Sequence, residues 1–316
     1  MTGTVIITGA NGSVALGFVD RLLSSYPSYT LLATVRNPSD ANSAKLSSIV
    51  TSKPNAKADI ETLDLSSLSD VRSFAEKTAE RVASGKLPRI KAIVCNAFTW
   101  SLSGTKYTPD GLEASFQVGH LSHYLLILKL LGSMASDGRI VLLGSIAHYP
   151  DRTHPLTKLI AEIPEDVQQI VKPLPDEPGQ EHDRGFQRYG TAKLANDPNL
   201  SSITATAMDP GDIVDSRAHA AQKPVIRFVL GTITYLLPLT KHIKSSFRRS
   251  ADAGKDLAEL SVGKEFDGTR GYFLGVKREE EAPMTRDEGK QRILWEACWR
   301  WAGLKEGETV LVGAAP

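Results

Sequence analysis

The sequence contains little cysteine and almost no net charge. Two cysteines, Cys95 and Cys298, occur among 316 residues. They are too few for a disulfide framework, so we expect both to be reduced thiols. The 37 lysine and arginine residues nearly balance the 36 aspartate and glutamate residues, and the formal net charge is +1. This balance provides no broad basic surface and argues against nucleic acid as a partner.

Long apolar runs are also missing. No uncharged stretch reaches about 18 apolar residues, the length that a membrane-spanning helix needs. The first residues lack the basic region and the apolar core of a signal peptide. The histidines and cysteines do not have the spacing of metal ligands. The sequence therefore predicts a cytoplasmic protein with no integral membrane segment and no metal site.

Short apolar runs rich in β-branched residues alternate with amphipathic stretches. Helical periodicity predicts helices at residues 14–24, 71–82, 112–131 and 287–304. The clearest strand candidates are residues 5–8, 31–35, 92–95 and 139–143, and the weaker ones are 60–64, 203–208 and 271–274. Nearly continuous apolar strands are typical of a parallel sheet covered on both faces. The alternation predicts an α/β fold with a doubly wound parallel sheet, a Rossmann fold, as one domain over residues 1–316.

A glycine-containing turn follows the first strand and leads directly into the first helix. Its residues include Gly9, Asn11, Gly12, Ser13 and Val14. Glycines at such a turn let the backbone approach a pyrophosphate, which then lies at the positive end of the helix. The position between a strand and a helix predicts a dinucleotide site, and a tight turn without a ligand is the alternative.

The end of the second strand predicts which dinucleotide is bound. An acidic residue there hydrogen-bonds a ribose 2′-hydroxyl, whereas an arginine accommodates the 2′-phosphate of NADP. The strand ends at Arg36, and we expect the nearest acid, Asp40, to lie within the next helix. Arg36 therefore predicts NADP(H), with a solvated loop charge as the alternative. Asp64, at the end of the third strand, is either an adenine contact or the N-cap of the following helix.

A serine follows a later strand, and a tyrosine and a lysine follow it on one helix. Tyr189 and Lys193 are four positions apart, so they share one helical face. A tyrosine that protonates a carbonyl needs a pKa below its usual value of about 10, and a neighbouring ammonium lowers that pKa. A Tyr-x-x-x-Lys pair alone is more often structural, but here it follows Ser145, at the end of a strand, and a dinucleotide turn.

With these motifs in this order, the sequence resembles the short-chain dehydrogenase/reductase family over most of its length. Further matching pairs are Asp64-Leu65, Asn96-Ala97 and Pro210-Gly211. The resemblance implies hydride transfer between a nicotinamide cofactor and a ketone or secondary alcohol, with Tyr189 as the acid. Ser145 would hold the carbonyl oxygen, and Lys193 would bind the nicotinamide ribose and lower the pKa of the tyrosine. The cofactor-binding residues, from the turn and the resemblance together, are Gly9, Asn11, Gly12, Ser13, Val14, Arg36, Asp64, Leu65, Asn96, Tyr189, Lys193, Pro210, Gly211 and Ile213.

The amino-acid sequence of residues 186–196 is similar to that of fungal family members linked to secondary metabolism. That likeness implies an aromatic polyketide or a similar bulky ketone as the small-molecule substrate. One rival function is a dinucleotide-binding protein with little or no redox turnover, and another is a non-redox isomerase or cyclase on the same fold. The intact catalytic set favours the reductase, because a protein that only binds a dinucleotide has no use for a tyrosine acid.

The chain departs from the family pattern at single positions. Ser13 and Ala15 stand where the usual family turn has glycine. Gly119 stands where a family helix commonly carries the asparagine that supports a water-mediated proton path to the lysine.

Two segments also have unusual lengths. Residues 149–188 are an insertion that we expect to form a lid or binding loop near the substrate, or to be disordered. The connection from Tyr189 to Pro210 is short and contains Pro198, which ends any helix. We expect this shortening to remove a dimer face and to weaken activity. Residues 212–250 are predicted to cover the substrate, and peripheral membrane contact is the alternative.

Overall fold

The central strands of the described sheet are buried, whereas the strands at its two edges, Lys57–Thr62 and Lys277–Glu279, are partly exposed. The computed structural model describes residues 3–149, 157, 159–194, 204–222, 224–235 and 247–311. Its strands are β1 (Thr4–Ile7), β2 (Thr30–Val35), β3 (Lys57–Thr62), β4 (Ile90–Cys95), β5 (Met134–Leu143), β6 (Thr204–Asp209), β7 (Asp212–Ile213), β8 (Phe247–Arg248), β9 (Gly271–Leu274) and β10 (Lys277–Glu279).

Eight of the described strands form one sheet in the order β10-β9-β6-β5-β4-β1-β2-β3. Neighbouring strands are parallel except β9 and β10, which are antiparallel. The order reverses direction between β1 and β4, and this is the switch point at which open α/β sheets bind ligands. The strands β7 and β8 pair separately.

Helices connect the strands and cover both faces of the sheet. The α-helices are α1 (Ser13–Ser25), α2 (Ala41–Thr51), α3 (Leu68–Ala83), α4 (Ala114–Phe116), α5 (Ser122–Leu130), α6 (Gln168–Val171), α7 (Glu181–Leu194), α8 (Pro224–Tyr235), α9 (Ser250–Val262) and α10 (Glu288–Trp301). Apolar side chains of α3, α5 and α10 form one buried cluster on the sheet, and those of α1 and α9 form another. The predicted doubly wound parallel sheet is therefore confirmed.

Some boundaries differ from the sequence-based expectation. The strand predicted at 139–143 begins earlier, at Met134. The helix predicted at 112–131 is interrupted, because α4 passes into a π-helical turn at Gln117–Leu121 before α5 begins. Gly119 lies in this turn, and a β-carbon there would be 3.4 Å from the Cβ atom of Ala192 on α7. The helix α7 begins inside the predicted insertion, so the insertion supplies the first turns of the helix that carries Tyr189.

Parts of the predicted segments lie outside the described residues. These are the short connection containing Pro198, residues 150–156 and 158 of the insertion, and residues 236–246 of the predicted covering segment. The expected loss of a dimer face and of activity therefore stays a prediction. Of the helices that the structure describes, none is long and apolar enough to cross a membrane.

Candidate active site

The glycine-containing turn between β1 and α1 opens onto the switch point of the sheet. Gly9 has a φ of +62°, and a β-carbon on it would lie 3.0 Å from the Cβ atom of Ala97. Glycine is therefore required both by backbone conformation and by space. The Asn96 side chain donates to the carbonyl oxygens of Thr8 at 2.9 Å and Gly9 at 3.1 Å. Asn96 thus holds the turn in place from the end of β4.

A buried histidine of α5, His123, also supports this turn. The Nε2 atom of His123 lies 2.8 Å from the Oγ1 atom of Thr8, and its Nδ1 atom lies 3.3 Å from the carbonyl oxygen of Gly119. His123 is 1% exposed. Burial lowers its pKa to about 3, so the imidazole is neutral at physiological pH. A lone histidine within a helical pattern carries no signal that would have revealed this contact.

A cleft of about 410 Å³ lies in front of the turn. Asn11 is oriented at its edge by a bond of 2.9 Å from its amide nitrogen to the Oγ atom of Ser43. The predicted cofactor residues that border the cleft are Gly9, Asn11, Gly12, Ser13, Val14, Arg36, Asp64, Leu65 and Asn96. The structure therefore brings together the predicted residues of the first three βα units and of β4. The size of the cleft and the lack of side chains on its bordering glycines fit the adenosine and pyrophosphate parts of a dinucleotide.

The charges at the end of β2 differ from the expectation. Arg36 borders the cleft, and no described residue pairs with its guanidinium group. Asp40 was expected inside the next helix. It is instead the N-cap of α2, where its carboxylate accepts from the backbone N–H of Asn42 at 2.7 Å, and it borders the same cleft. The expectation failed because a capping aspartate has extended backbone geometry and projects outside the helix.

Asp64 is not the N-cap of α3. The cap is Ser67, and the carboxylate of Asp64 instead accepts from the backbone N–H and the hydroxyl group of Ser66, at 2.9 and 2.7 Å. Asp64 borders the cleft beside Leu65. This placement favours a cofactor contact over the capping alternative.

The three predicted catalytic residues lie together beside the cleft. Ser145 lies close enough to the Tyr189 phenol to lower its pKa. The ammonium nitrogen of Lys193 lies 5.7 Å from the centre of the Tyr189 ring and donates to the carbonyl oxygen of Leu143 at 2.5 Å. Close packing of α7 brings the group together, because a β-carbon on Gly190 would lie 2.6 Å from the carbonyl oxygen of Ala147.

The pKa of the tyrosine does not follow the sequence-based expectation. Burial raises the pKa of Tyr189 to about 12, although the neighbouring Ser145 acts in the opposite direction. Burial also lowers the pKa of Lys193 to about 8. The expected lowering of the tyrosine pKa by Lys193 is absent, because the ammonium group is directed at the Leu143 carbonyl and not at the phenol oxygen. Tyr189 is therefore protonated at neutral pH and can donate a proton.

Aromatic side chains that the sequence analysis did not single out surround the tyrosine. The ring centres of Phe98 and Trp100 lie 5.4 and 5.3 Å from that of Tyr189, and Phe186 lies 5.3 Å from Trp100. Phe98 also lies 5.4 Å from the ammonium nitrogen of Lys193 and borders the cleft. We call Phe98, Trp100 and Phe186 the aromatic cluster. It connects the cleft to the predicted catalytic residues.

The predicted residues after β6 are placed differently. Gly211 has a φ of +83°, and its N–H donates to the carboxylate of Asp209 at 2.8 Å. Pro210, Gly211 and Ile213 are not among the described residues that border the cleft. The cleft is instead bordered by Ser216, Arg217, Ala218 and Ala220 from the same segment. Sequence reasoning missed these residues, since nothing in their local pattern marks them.

Comparison with known proteins agrees with this architecture. The chain is 31% identical to "Short-chain dehydrogenase iccH" of Talaromyces variabilis over 363 aligned positions, which cover 98% of each chain. A family model described as AcuH dehydrogenase domain matches residues 213–311. Among solved structures, the angucycline C-6 ketoreductase LanV with bound NADP has a TM-score of 0.58 at 16% identity, covering 86% of this chain and 95% of that one. The NADPH-bound carbonyl reductase from chicken fatty liver has a TM-score of 0.54 at 17% identity, covering 89% and 94%. From the likeness of sequence over its whole length, together with the ordered motifs and the sheet, this chain belongs to the short-chain dehydrogenase/reductase family.

Proposed function

We propose that the protein is an NADP(H)-dependent oxidoreductase that transfers a hydride between nicotinamide and a ketone or secondary alcohol. The observation that carries this proposal is the grouping of Ser145, Tyr189 and Lys193 beside a dinucleotide cleft. A protonated phenol next to a serine hydroxyl is suited to polarising a carbonyl oxygen and giving it a proton. The NADP-bound and NADPH-bound structural neighbours support a nicotinamide cofactor.

The residues bordering the cleft would hold the cofactor. The turn from Gly9 to Val14 would receive the pyrophosphate at the N-terminus of α1, and Asp64 and Leu65 would contact the adenine. Arg36 would contact the 2′-phosphate, because an unpaired guanidinium group is a bidentate donor to phosphate. Lys193 would bind the nicotinamide ribose through its ammonium group, and Pro210, Gly211 and Ile213 are proposed to back the nicotinamide.

Each catalytic side chain would act on the carbonyl oxygen. When bound, the cofactor supplies a hydride to the carbonyl carbon. Tyr189 gives its proton to the oxygen, so that the ketone becomes a secondary alcohol. Ser145 donates a hydrogen bond to the same oxygen and aligns it with the phenol. Lys193 would stabilise the phenolate that remains once its ammonium group turns from the Leu143 carbonyl towards the phenol oxygen, because an ammonium group close to a negative charge lowers its energy.

The aromatic cluster supports an aromatic ketone as the substrate class. Phe98, Trp100 and Phe186 present ring faces and edges next to the acid. Aromatic rings at centre distances of about 4.5–7 Å attract one another by about 0.5–1.5 kcal/mol beyond the burial of their surface. A flat polycyclic ketone of the polyketide type would therefore bind in front of Tyr189 better than an alicyclic ketone of similar size.

The test measures NADPH oxidation by the full chain against matched aromatic and alicyclic ketones. We expect turnover with a preference for aromatic ketones. Tyr189→Phe should lower kcat by at least ~10²-fold while NADPH binding stays nearly unchanged. Tyr107→Phe, at an exposed tyrosine outside both the cleft and the segment predicted to cover the substrate, is the matched control and should have no effect. Undiminished turnover in Tyr189→Phe would reject the mechanism.

A second candidate is a dinucleotide-binding protein without redox turnover. It is favoured by the direction of the Lys193 ammonium group, which donates to the Leu143 carbonyl and does not border the cleft. In that case NADPH would bind to the parent, but no ketone in the panel would be reduced. The same experiment thus separates the two functions.

A further inference from the structure

Arg217 reaches the cofactor cleft from a part of the chain far from the dinucleotide motifs. It begins a short 3-10 helix, Arg217–Ala221, within the segment predicted to cover the substrate. Its backbone N–H donates to the Oγ atom of Ser13 at 3.1 Å. Its guanidinium nitrogen Nη1 lies 3.5 Å from a carboxylate oxygen of Asp40. Arg217 therefore spans from the glycine-containing turn to the N-terminus of α2.

The carboxylate of Asp40 creates a problem for NADP(H). A carboxylate near the end of β2 favours a ribose 2′-hydroxyl, because it accepts a hydrogen bond from that group. It repels a 2′-phosphate by like charge. Arg36 and Asp40 border the same cleft, so the carboxylate offsets the attraction of Arg36 for a phosphate. A second cation is needed to make this end of the cleft attractive to a phosphate dianion.

We propose that Arg217 is a specificity-determining residue that neutralises Asp40 and, with Arg36, holds the 2′-phosphate of NADP(H). This inference rests on the proposed NADP(H) function. The ion pair with Asp40 is weak, because it is 3.5 Å long and the Arg217 side chain is 47% exposed. A phosphate dianion offers the same guanidinium group shorter and charge-assisted hydrogen bonds. Arg217 can therefore contact the phosphate while it still faces Asp40.

The same geometry gives a function to Ser13, which stands where the usual family turn has glycine. Its hydroxyl oxygen is the acceptor for the Arg217 backbone, so it anchors the arginine across the cleft. Cofactor choice is thereby linked to the segment predicted to cover the substrate, since one residue belongs to that segment and contacts the cleft.

The experiment measures binding of two probes by calorimetry, adenosine 2′,5′-bisphosphate and adenosine 5′-monophosphate. Arg217→Ala should weaken the binding of the bisphosphate by about tenfold and change the binding of the monophosphate by less than about twofold, because only the 2′-phosphate contact is lost. Adding Asp40→Asn to Arg217→Ala should recover most of the loss, because the uncompensated carboxylate is gone while asparagine still caps α2. Arg300→Ala, at an exposed arginine of α10, is the control and should change neither affinity.

The variants separate this inference from the proposed function. If Arg36→Ala removes the preference for the bisphosphate but Arg217→Ala does not, the function of Arg217 is refuted and the NADP(H) proposal stands. If the double variant binds the bisphosphate no better than Arg217→Ala, the neutralisation of Asp40 is refuted. If the parent binds both probes equally and Arg36→Ala changes nothing, the NADP(H) proposal itself fails.

Discussion

Single buried residues decide how the dinucleotide turn is held. The bond between His123 and Thr8 joins α5 to the end of β1, and the neutral imidazole lies between that hydroxyl group and the Gly119 carbonyl. A proton on the imidazole would place an uncompensated charge in an apolar interior, which is costly. The local conformation of the turn therefore depends on the protonation state of a residue that does not border the cleft.

His123 should make the protein sensitive to acid. Its folded-state pKa is about 3, below the ordinary 6.5, so the unfolded chain binds the proton more readily than the folded one. The free energy of unfolding should then fall as the pH drops through 6.5, by about 2 kcal/mol between about pH 8 and pH 5. His123→Gln provides an amide group that can hydrogen-bond to Thr8, and it removes the group that titrates. Urea unfolding at several pH values checks this.

The control for this prediction is His182→Gln, at a partly exposed histidine of α7. It should keep the pH dependence of the parent. An identical pH dependence in His123→Gln and in the parent would show that other groups cause the acid sensitivity.

At the scale of elements, the contact between α1 and α9 depends on small residues. A β-carbon on Gly254 would lie 2.4 Å from the backbone nitrogen of Phe18 and from the carbonyl oxygen of Val14. A β-carbon on Gly17 would lie 2.8 Å from the backbone of Ala251. The two helices therefore touch through their backbones beneath the cofactor turn, which keeps the N-terminus of α1 in position.

Gly254→Ala should destabilise the protein by about 1–3 kcal/mol, because the helices must separate to accommodate the methyl group. The control is Gly231→Ala on α8, where nothing lies within 4 Å of the added atom. That change should be neutral or stabilising by up to about 1 kcal/mol, since alanine is the better helix former. Equal effects of the two substitutions on urea midpoints would contradict the close helix contact.

A buried ion pair joins the insertion to the catalytic helix. The guanidinium group of Arg188 binds the carboxylate of Asp176 at 2.6 and 3.0 Å, and its Nε atom lies 3.7 Å from Glu113 of the segment before α4. The side chains of Arg188 and Asp176 are only 10% and 6% exposed. Because Arg188 directly precedes Tyr189, this pair fixes the insertion against the residue proposed as the acid.

Asp176→Ala should cost about 3–5 kcal/mol, because it leaves part of the arginine charge buried without its carboxylate. Adding Glu113→Gln to Arg188→Met and Asp176→Leu should recover much of that loss, since this triple change removes all three charges of the buried cluster. Asp252→Ala, in an exposed pair with Lys255, should change stability by less than about 1 kcal/mol. Thermal unfolding measures all three. A loss for Asp176→Ala as small as that for Asp252→Ala would contradict the importance of the buried pair.

At the scale of the whole molecule, the C-terminal part completes the sheet. The strand β9 pairs with β6, beginning with Gly271 of β9 opposite Thr206 of β6. The helix α9 packs on α1, which lies near the other end of the sequence. The region that matches its own family model, residues 213–311, therefore shares its core with the N-terminal strands.

We predict a single cooperative unfolding transition for the chain. Calorimetric and van't Hoff enthalpies should agree, because each described core cluster contains residues both from the N-terminal part and from residues 213–311. Saturating NADPH at about 100 times its Kd should raise the free energy of unfolding of this single transition by about 2.7 kcal/mol. Two transitions, of which NADPH shifts only one, would show that residues 213–311 fold separately and would contradict the one-domain prediction.

The sequence by itself determined the fold and most of the cofactor cleft. Apolar strands and glycines at fixed offsets are local requirements, and the position of a strand end is enough to place Arg36, Asp64 and Asn96 at one edge of a parallel sheet. The tyrosine and lysine could be paired because helical spacing is also local.

Only the tertiary structure decided the contacts between distant segments. Arg217 lies opposite Asp40, and His123 lies beside Thr8, although neither pair is marked in the sequence. The sign of the tyrosine pKa shift was decided in the same way. Helical spacing brings Lys193 near Tyr189, but burial by other elements raises the pKa of the phenol. The Leu143 carbonyl on β5 binds the Lys193 ammonium group and directs it away from the phenol oxygen. Contacts between distant segments and pKa shifts depend on all the groups that surround a side chain, including groups far away in the sequence. A local sequence pattern therefore does not predict them.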